Sequence, residues 1–265
     1  MKKALYRSCI ELTNHRLSSY LLRSFSRSRL SKPFIKPFVK TFQLNELEMD
    51  KSIKQYSHLH ELFIRNLKEG ARPVDSSSRA FVSPVDGVVA QYGVLENETL
   101  FHVKGQTYNI EEMLGSKEAS KPYLNGRYFI LYLSPSHYHR IHSPVAGSII
   151  RQWQLGGKSY PVNELGLRYG KKPLSRNYRL ITELEVSQRQ LALVKVGAMN
   201  VNTIEVTHSD NELQKGDEIG YFSFGSTVVL LCEHGLIQDV SVHENAEVKV
   251  GQKIAELMEV EGEKK

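Results

Sequence analysis

A Gly-Ser-Thr tripeptide, Gly225-Ser226-Thr227, interrupts a run of residues that otherwise favours a β-strand. The flanking residues Phe222 and Val228 are of the aromatic and β-branched types that strands prefer. A glycine inside a strand usually marks a bulge or a close approach of the backbone. Because Gly225 has no Cβ, its carbonyl is open to attack by the hydroxyl of Ser226. The tripeptide is therefore either a simple bulge or a peptide bond that the neighbouring serine cleaves.

Three histidines, His137, His139 and His142, lie within six residues between two predicted strands. Histidine is the side chain that exchanges protons near neutral pH, so this cluster is the densest functional signal in the chain. The pair His137 and His139 is also typical of zinc sites, because alternate side chains of an extended segment share one face. The cluster therefore indicates either a zinc-dependent hydrolase or the base of a nucleophilic site.

An internal repeat singles out one acidic residue. The repeated segments are residues 82–89 with 142–149, and residues 215–219 with 250–254. Their Ser-Pro-x-x-Gly and Gly-x-x-Ile patterns resemble the barrel-sandwich hybrid of lipoyl and biotinyl carrier domains, in a duplicated form. Most repeated residues are expected to be structural. Asp86 of the first copy matches Ala146 of the second, and because the scaffold does not need an acid there, Asp86 is a candidate for function.

Ser226, one histidine of the cluster and Asp86 could together form a nucleophilic relay. A serine is a poor nucleophile until a base removes its proton, and the imidazole needs an acid to hold its tautomer. The three residues are far apart in sequence, so this hypothesis requires the duplicated body to bring them together.

The elements that would position these residues are mainly strands. Short β-branched and aromatic runs, separated by glycine and proline, follow residue 79 and predict a β-rich body with one short helix at 109–115. Strands are predicted at residues 80–82, 87–94, 99–104, 128–133, 147–156, 178–186, 190–206, 219–224, 227–233 and 247–249. Helical periodicity appears within residues 1–30 and over 47–69, and Pro33 and Pro37 are expected to begin a linker. The predicted fold class is α+β, mostly β, with N-terminal helices before a duplicated barrel-sandwich-hybrid-like body.

Positive charge is concentrated at the N-terminus. Residues 1–40 hold ten basic residues and one acidic residue, a charge of +9; since the whole chain carries +6, the other 225 residues sum to −3. Arginines beside an apolar stripe suit a helix that lies in lipid headgroups, although a helix docked on the body with a solvated basic face gives the same pattern. Nucleic acid is disfavoured as a partner because the body is slightly acidic and shows no recognition motif. We predict a basic amphipathic membrane-associating segment at 1–45 and a catalytic domain at 46–265.

The location implied by these features is the cytoplasmic face of the cell membrane, with peripheral attachment. The sequence has no apolar run near 20 residues, so we expect no spanning helix, and it shows no convincing signal peptide. The two cysteines, Cys9 and Cys232, suggest no disulfide framework and fit a reducing compartment.

Seven motifs together resemble the phosphatidylserine decarboxylases, in their short bacterial type. They run in the family's order from about residue 55 to 230: His60–Arg65 with Arg72-Pro73, Ser83–Gly87, Phe101–Gly105, Tyr138–His142, Tyr160–Asn163, Val196–Val201 and Phe222–Thr227. Two positions depart from the family's pattern. Phe224 replaces a usual leucine, and His137 stands where aspartate is common, which argues against a catalytic role for His137.

The resemblance implies that Ser226 attacks the Gly225 carbonyl and, after elimination and hydrolysis, becomes a covalent pyruvoyl group. The relay for this cleavage would be Asp86, His142 and Ser226. The products would be a β chain, residues 1–225, and an α chain, residues 226–265, which remain together as a heterodimer. Whether this heterodimer dimerises further is left open.

The same resemblance implies the reaction. The pyruvoyl ketone would form a Schiff base with the amine of phosphatidylserine and act as the electron sink while carbon dioxide leaves, giving phosphatidylethanolamine. His139, which matches the first histidine of the family's Tyr-His-Arg-x-His motif, would donate the proton that replaces the carboxylate. The expected enzyme is a carboxy-lyase of phospholipid biosynthesis that needs no metal. The alternatives are a zinc-dependent hydrolase that uses His137, His139 and His142, and a non-catalytic lipoyl-like adaptor.

Overall fold

A computed structural model describes residues 16–96, 99–162, 164–198, 204–223 and 226–259. Two features of the sequence, the helical pattern of residues 1–15 and the residue Gly225, lie outside these ranges. The α-helices are α1 (Arg16–Arg27), α2 (Ile35–Phe42), α3 (Leu59–Phe63), α4 (Ile110–Leu114), α5 (Lys117–Ser120), α6 (Glu164–Tyr169) and α7 (Pro173–Arg176). Short 3-10 helices occur at Arg29–Phe34, Glu46–Glu48, Ile53–Gln55 and Lys121–Tyr123.

The strands are β1 (Ala80–Val82), β2 (Gly87–Val94), β3 (Leu100–Val103), β4 (Gln106–Asn109), β5 (Arg127–Leu133), β6 (Arg140–His142), β7 (Gly147–Leu155), β8 (Arg179–Val186), β9 (Arg189–Gly197), β10 (Ile204–Val206), β11 (Glu212–Leu213), β12 (Glu218–Phe222), β13 (Ser226–Cys232), β14 (Ile237–Val240), β15 (Glu247–Val248) and β16 (Lys253–Leu257). Eight of them form one antiparallel sheet in the order β11-β7-β8-β9-β13-β5-β2-β15. Two three-stranded sheets, β1-β16-β14 and β10-β12-β6, and the hairpin β3-β4 complete the body. The fold is α+β and mostly β, as the sequence predicts.

The main sheet has a hydrophobic core on each face. One core joins Leu131, Leu193 and Val228 of the sheet to Phe222 and Ile254 of the two small sheets. The alternate residues of the same strands, among them Ile130, Val194 and Val229, pack with Met113 and Leu114 of α4 in the other core. Because successive side chains point to opposite faces, a central strand that is covered on both sides must be apolar throughout, and β13 is buried along its whole length.

The body is duplicated, and its two Ser-Pro loops make the same contacts. Ser83 Oγ donates to the Val85 carbonyl at 2.7 Å, and Ser143 Oγ donates to the Val145 carbonyl at 2.7 Å. The loops also bind each other, since Val82 N–H donates to Pro144 O and His142 N–H donates to Pro84 O.

The second pair of repeats completes each copy. Ser83 exchanges backbone hydrogen bonds with the turn at 251–252, and Ser143 does so with the turn at 216–217. These matched contacts relate the two halves by a local two-fold pseudo-symmetry. Asp86 and His142, at two of the positions where the copies differ, therefore occupy the two paired loops.

The helical prediction for residues 47–69 is largely wrong. Only α3 and two 3-10 turns form there, because Asp50 N–H donates to Asn66 O and Lys68 N–H donates to Glu48 O. These bonds pair the ends of the segment in extended conformation and remove backbone groups that a helix would use.

The predicted linker at Pro33 and Pro37 is also wrong. Pro33 lies inside the 3-10 helix Arg29–Phe34, and Pro37 is the third residue of α2. In the first turn of a helix the missing N–H of proline costs no hydrogen bond, so α2 continues to Phe42.

Candidate active site

Ser226 is the first residue of β13 and so lies at one end of this central strand of the main sheet. It pairs with Leu133, the last residue of β5, and with Gly197, the last residue of β9. Its side chain is fully buried, and its Oγ has no hydrogen-bond partner in the described part of the chain. A buried hydroxyl without a partner costs free energy, so this position is more consistent with a reacting group than with a packing residue.

His139 lies close to the segment that contains the predicted scissile bond. Its carbonyl accepts a hydrogen bond from Phe222 N–H at 3.0 Å, which holds it four residues before Ser226. A chain of four residues spans at most about 14 Å. The imidazole and Ser226 thus belong to the same region of the molecule.

The His139 imidazole is buried and has a defined tautomer. Its ring lies 3.9 Å, centroid to centroid, from that of Phe63, and its Nδ1 donates to the His137 carbonyl at 2.9 Å. Burial, followed by the positive charge of Arg65, holds the pKa of His139 well below its usual range. The ring is therefore neutral, and the lone pair of Nε2 has no partner among the described residues.

His142 is also neutral and is held by its Nδ1. This nitrogen donates to the Gly216 carbonyl at 2.7 Å, while Nε2 lies 3.3 Å from the Tyr138 hydroxyl, which donates to it. Burial lowers the pKa of His142, and the carboxylates of Glu218 and Asp86 oppose that shift. The Nε2 atom is thus a base that a tyrosine already orients.

Asp86 is bound by an arginine that carries no role in the sequence analysis. Arg72 contacts both carboxylate oxygens, with Nε 2.8 Å from Oδ1 and Nη2 2.5 Å from Oδ2, and Val250 N–H donates to Oδ1 at 3.0 Å. Arg72 also contacts Glu48 at 2.9 Å. A side-on guanidinium–carboxylate pair of this kind fixes the orientation of the carboxylate.

The structure brings the three predicted relay residues to one edge of the body without direct contacts between them. Val88, two residues after Asp86, pairs with Tyr132 of β5, and β5 lies between β2 and β13. Adjacent strands are about 4.8 Å apart, so the backbones near Asp86 and Ser226 are separated by about 10 Å. Among the residues described, no hydrogen bond joins Asp86 to His142 or His142 to Ser226. The relay stays a prediction.

Two further residues of the histidine cluster have structural contacts. His137 Nδ1 accepts the Ser134 N–H at 3.0 Å and so closes the turn before His139. Arg140 Nη1 contacts both oxygens of Glu218, at 2.8 and 2.9 Å, and Arg140 Nε donates to Ile64 O. His137 and Arg140 therefore stabilise the backbone around the site through these contacts.

The described ranges contain no group of three or more histidine, cysteine, aspartate or glutamate side chains placed to hold a metal ion. The zinc-dependent alternative therefore has no support among these residues.

The comparisons with known proteins identify the family of this chain. A family model described as phosphatidylserine decarboxylase matches residues 59–256, about three quarters of the chain. The chain belongs to the phosphatidylserine decarboxylase family.

Full-length relatives support the assignment. A protein of Geobacillus kaustophilus (strain HTA426) is 55% identical over 255 residues, which cover 96% of this chain and 97% of the relative. A protein of Geobacillus sp. (strain WCH70) is 54% identical over 97% of this chain and 100% of its own length. One of Bacillus thuringiensis subsp. konkukian (strain 97-27) is 53% identical, over 96% of this chain and 98% of its own. All three are named phosphatidylserine decarboxylase proenzyme, which confirms the predicted family and the predicted enzyme class, a carboxy-lyase.

Sequence reasoning did not assign a role to three basic residues near this site, the buried Arg65 and Lys195 and the half-buried Arg72. Arg65 and Arg72 belong to motifs that carry the family resemblance, so the motif was a signal that could have found them. Lys195 is fully buried, donates from Nζ to Thr182 Oγ1 at 2.6 Å, and has its pKa lowered to about 7 by burial. It shares a sheet face with Ser226, because it lies two residues before Gly197. In the sequence, the residues around Lys195 predict only an apolar strand, so they give no sign of a functional lysine.

Proposed function

We propose that this protein decarboxylates phosphatidylserine to phosphatidylethanolamine and carbon dioxide, with a pyruvoyl group made from its own Ser226. The observation that carries the proposal is the buried, unpartnered hydroxyl of Ser226, directly after Gly225, in a chain whose family consists of decarboxylases. Relatives named as proenzymes support a maturation step.

Self-cleavage begins with Ser226 Oγ, which forms a bond to the Gly225 carbonyl carbon while its proton passes to His142. The peptide C–N bond then breaks, the proton moves to the Ser226 nitrogen, and an ester joins the two fragments. Loss of the Ser226 α-proton expels the Gly225 carboxylate. Water finally replaces the nitrogen, which leaves as ammonia, and a ketone remains at position 226.

Asp86 and His142 prepare that first step. The Nδ1–H of His142 is held by Gly216 O, so Nε2 is the nitrogen that accepts the serine proton, and it must exchange the Tyr138 hydroxyl for Ser226 Oγ to do so. The carboxylate of Asp86 raises the proton affinity of this imidazole against the effect of burial. Arg72 holds that carboxylate through both oxygens, and we therefore assign Arg72 a positioning role.

The site fits the proposed prosthetic group. Ser226 lies in a fully buried position with an orphaned oxygen, which a ketone could occupy without losing a hydrogen bond. When formed, the pyruvoyl group supplies a carbonyl that condenses with the substrate amine and withdraws electrons as carbon dioxide leaves.

His139 moves the proton in the second reaction. Its Nε2 lone pair accepts a proton, and because burial destabilises the imidazolium, that proton is readily passed to the substrate Cα. Stacking on Phe63 and the Nδ1–H bond to His137 O fix the orientation of the ring.

The two fragments are expected to stay together after cleavage. β13 begins the α fragment, and its seven residues pair with β5 on one side and with β9 on the other, both of the β fragment. Burial of each large apolar side chain contributes about 1.5–3 kcal/mol, so β13 alone supplies a large association energy.

The reaction is tested with the purified, matured protein and phosphatidylserine labelled in its carboxyl carbon. We expect labelled carbon dioxide, and we expect borohydride added together with substrate, or hydroxylamine alone, to abolish its release, since both reagents consume the ketone. Release that survives both reagents but stops with a metal chelator would contradict the pyruvoyl mechanism and indicate a metal-dependent decarboxylation.

We further propose that α1 and the turn after it bind an anionic lipid surface. Tyr20, Leu21, Leu22 and Leu30 are 67%, 58%, 45% and 76% exposed, an unusual density of apolar side chains for a surface. Basic residues surround them: Arg23, Arg27, Arg29, Lys32 and Lys36. Each basic residue near an anionic bilayer contributes about 1 kcal/mol.

Helix α2 packs against residues 49–62. Ile35 and Val39 of α2 are buried with Met49, Tyr56 and Leu62. The apolar side chains of α1 are thus exposed at the surface of the protein. The predicted boundary between the membrane-associating segment and the catalytic domain, at residue 45, stays a prediction. No helix in the described ranges is long and apolar enough to span a bilayer.

Replacing both Leu21 and Leu22 with glutamate should reduce binding to vesicles that contain phosphatidylserine by about ten- to hundredfold, because two apolar side chains leave the interface. Vesicle co-sedimentation measures this effect, and added salt should weaken binding of the unchanged protein. Val94→Glu, a change at an exposed apolar residue of β2, is the matched control. Equal binding by the double variant would refute the proposed surface.

A further inference from the structure

Arg65 is a buried arginine with two unused donors. Only 5% of the residue is exposed, and its Nη2 donates to the carbonyls of Ser136 at 3.0 Å and His137 at 3.2 Å. The other two nitrogens, Nε and Nη1, are buried and have no hydrogen-bond partner among the described residues. A buried guanidinium normally has its donors satisfied, so this arrangement requires an explanation.

The positive charge of Arg65 is not neutralised by a contacting carboxylate. Asp86 and Glu48 are near enough to act on it electrostatically, but both carboxylates bind Arg72. Within the described ranges Arg65 forms no ion pair. A charge that is buried and unpaired is strongly destabilising unless an anionic ligand binds there when the site works.

Arg65 also lies beside the catalytic imidazole. Its charge is the next largest cause, after burial, of the lowered pKa of His139, and it binds the carbonyl of His137, which in turn accepts the Nδ1–H of His139. Phe63, two residues earlier on α3, stacks on the same imidazole. An anion bound at Arg65 would therefore belong to a molecule that reacts at His139.

We propose that Arg65 binds the phosphodiester of the phosphatidylserine headgroup through its unpartnered N–H groups. This inference rests on the proposed function. In the substrate, one carbon and one oxygen separate the phosphorus from the reacting carbon, so a donor next to the proton-transfer residue can reach the phosphate. Arginine provides strong, charge-assisted hydrogen bonds to phosphate oxygens.

The carboxylate of the substrate is the other anionic group, and the chemistry argues against it. The carboxylate loses its charge as carbon dioxide leaves, so an arginine bound there would stabilise the ground state more than the transition state and slow the reaction. The phosphodiester keeps its charge throughout. Arg65 can therefore bind it tightly and still leave the chemical step unaffected.

The test uses the full-length matured protein, soluble dihexanoyl phosphatidylserine as substrate, and dihexanoyl phosphatidylethanolamine as inhibitor. The product retains the phosphate and lacks the carboxylate. For Arg65→Gln we expect KM and the product inhibition constant to rise together by about ten- to hundredfold. We expect kcat to fall as well, because Arg65 binds the His137 carbonyl that orients His139, so the two binding constants carry the test. Arg79→Gln, which removes a half-exposed arginine bound to Glu256 and Glu259, is the matched control and should change neither constant.

The possible results separate the phosphodiester proposal from the carboxylate alternative and from a failure of the proposed function. A raised KM with an unchanged product inhibition constant would place the carboxylate at Arg65 and overturn the proposal, as would unchanged values of both. Failure of the unaltered protein to release carbon dioxide would instead refute the proposed function.

A comparison that needs no variant covers the case in which Arg65→Gln does not mature. The methyl phosphotriester of the substrate has a neutral phosphate, and the unaltered protein should show a similar rise in KM for it. Equal KM values for the diester and the triester would overturn the proposal. The variant Arg65→Lys keeps the charge and loses the planar donor geometry. Its KM for the diester should lie between those of the unaltered protein and Arg65→Gln.

Discussion

The Ser226→Ala protein will remain a single chain of 265 residues and will release no measurable carbon dioxide from phosphatidylserine. Without Oγ there is no nucleophile for the Gly225 carbonyl and no precursor of the ketone, so both reactions stop. We expect activity to fall more than about a thousandfold. The intact mass of the purified protein reports the cut, and carbon dioxide release reports the reaction.

The fold should survive this change. Ser226 Oγ has no partner among the described residues, so its removal breaks no hydrogen bond, and stability should change by less than about 1 kcal/mol. Ser175→Ala is the matched control, because Ser175 is also buried with an unpartnered hydroxyl but lies on α7. That variant should mature into fragments of 225 and 40 residues, since 265 − 225 = 40. Fragments from the Ser226→Ala protein would show that the cut lies elsewhere.

His139→Ala and His142→Ala should separate the two reactions. The first should mature normally and then decarboxylate about a hundred- to ten-thousandfold more slowly, which is the usual contribution of a positioned proton donor. The second should remain largely uncut, because it removes the base that activates Ser226. Intact mass after timed incubation and carbon dioxide release per matured chain provide the two measurements.

The structural basis for this separation is the different attachment of the two rings. His142 lies in the loop that pairs with the loop of Asp86, and its Nδ1 donates to Gly216 O. His139 instead stacks on Phe63, and its Nε2 has no partner among the described residues. His137→Asn is the control, since an amide oxygen can replace Nδ1 as the acceptor for Ser134 N–H; it should keep both reactions. An uncut His139→Ala protein together with a normally matured His142→Ala protein would mean that the two histidines have exchanged roles.

Several local predictions failed where distant contacts decide the outcome. The periodic apolar residues between 47 and 69 suit a helix, but the backbone pairing of residues 48–50 with 66–68 is stronger and opens the segment. Five short strands, β4, β6, β11, β14 and β16, were not predicted, because strands of two to five residues carry too little periodicity. β6 exists only because β12 pairs with it across the second small sheet.

The sequence by itself predicted the chemistry of this protein and determined its family and its duplicated plan. Gly225-Ser226, the histidine cluster and the mismatch between Asp86 and Ala146 are local patterns, so their residue types alone limit what they can do. The family motifs tie those patterns to one activity.

Only the tertiary structure decided how the site is held and charged. The pairing of Ser226 with Leu133, the binding of Asp86 by Arg72 and Val250, and the burial of His139 against Phe63 join residues between 14 and 164 positions apart. Burial and electrostatic environment depend on which distant surfaces meet, and no local pattern encodes them. For the same reason the sequence shows Arg65 only as a member of a family motif. The folded structure shows that it is a buried cation whose Nε and Nη1 have no partner among the described residues.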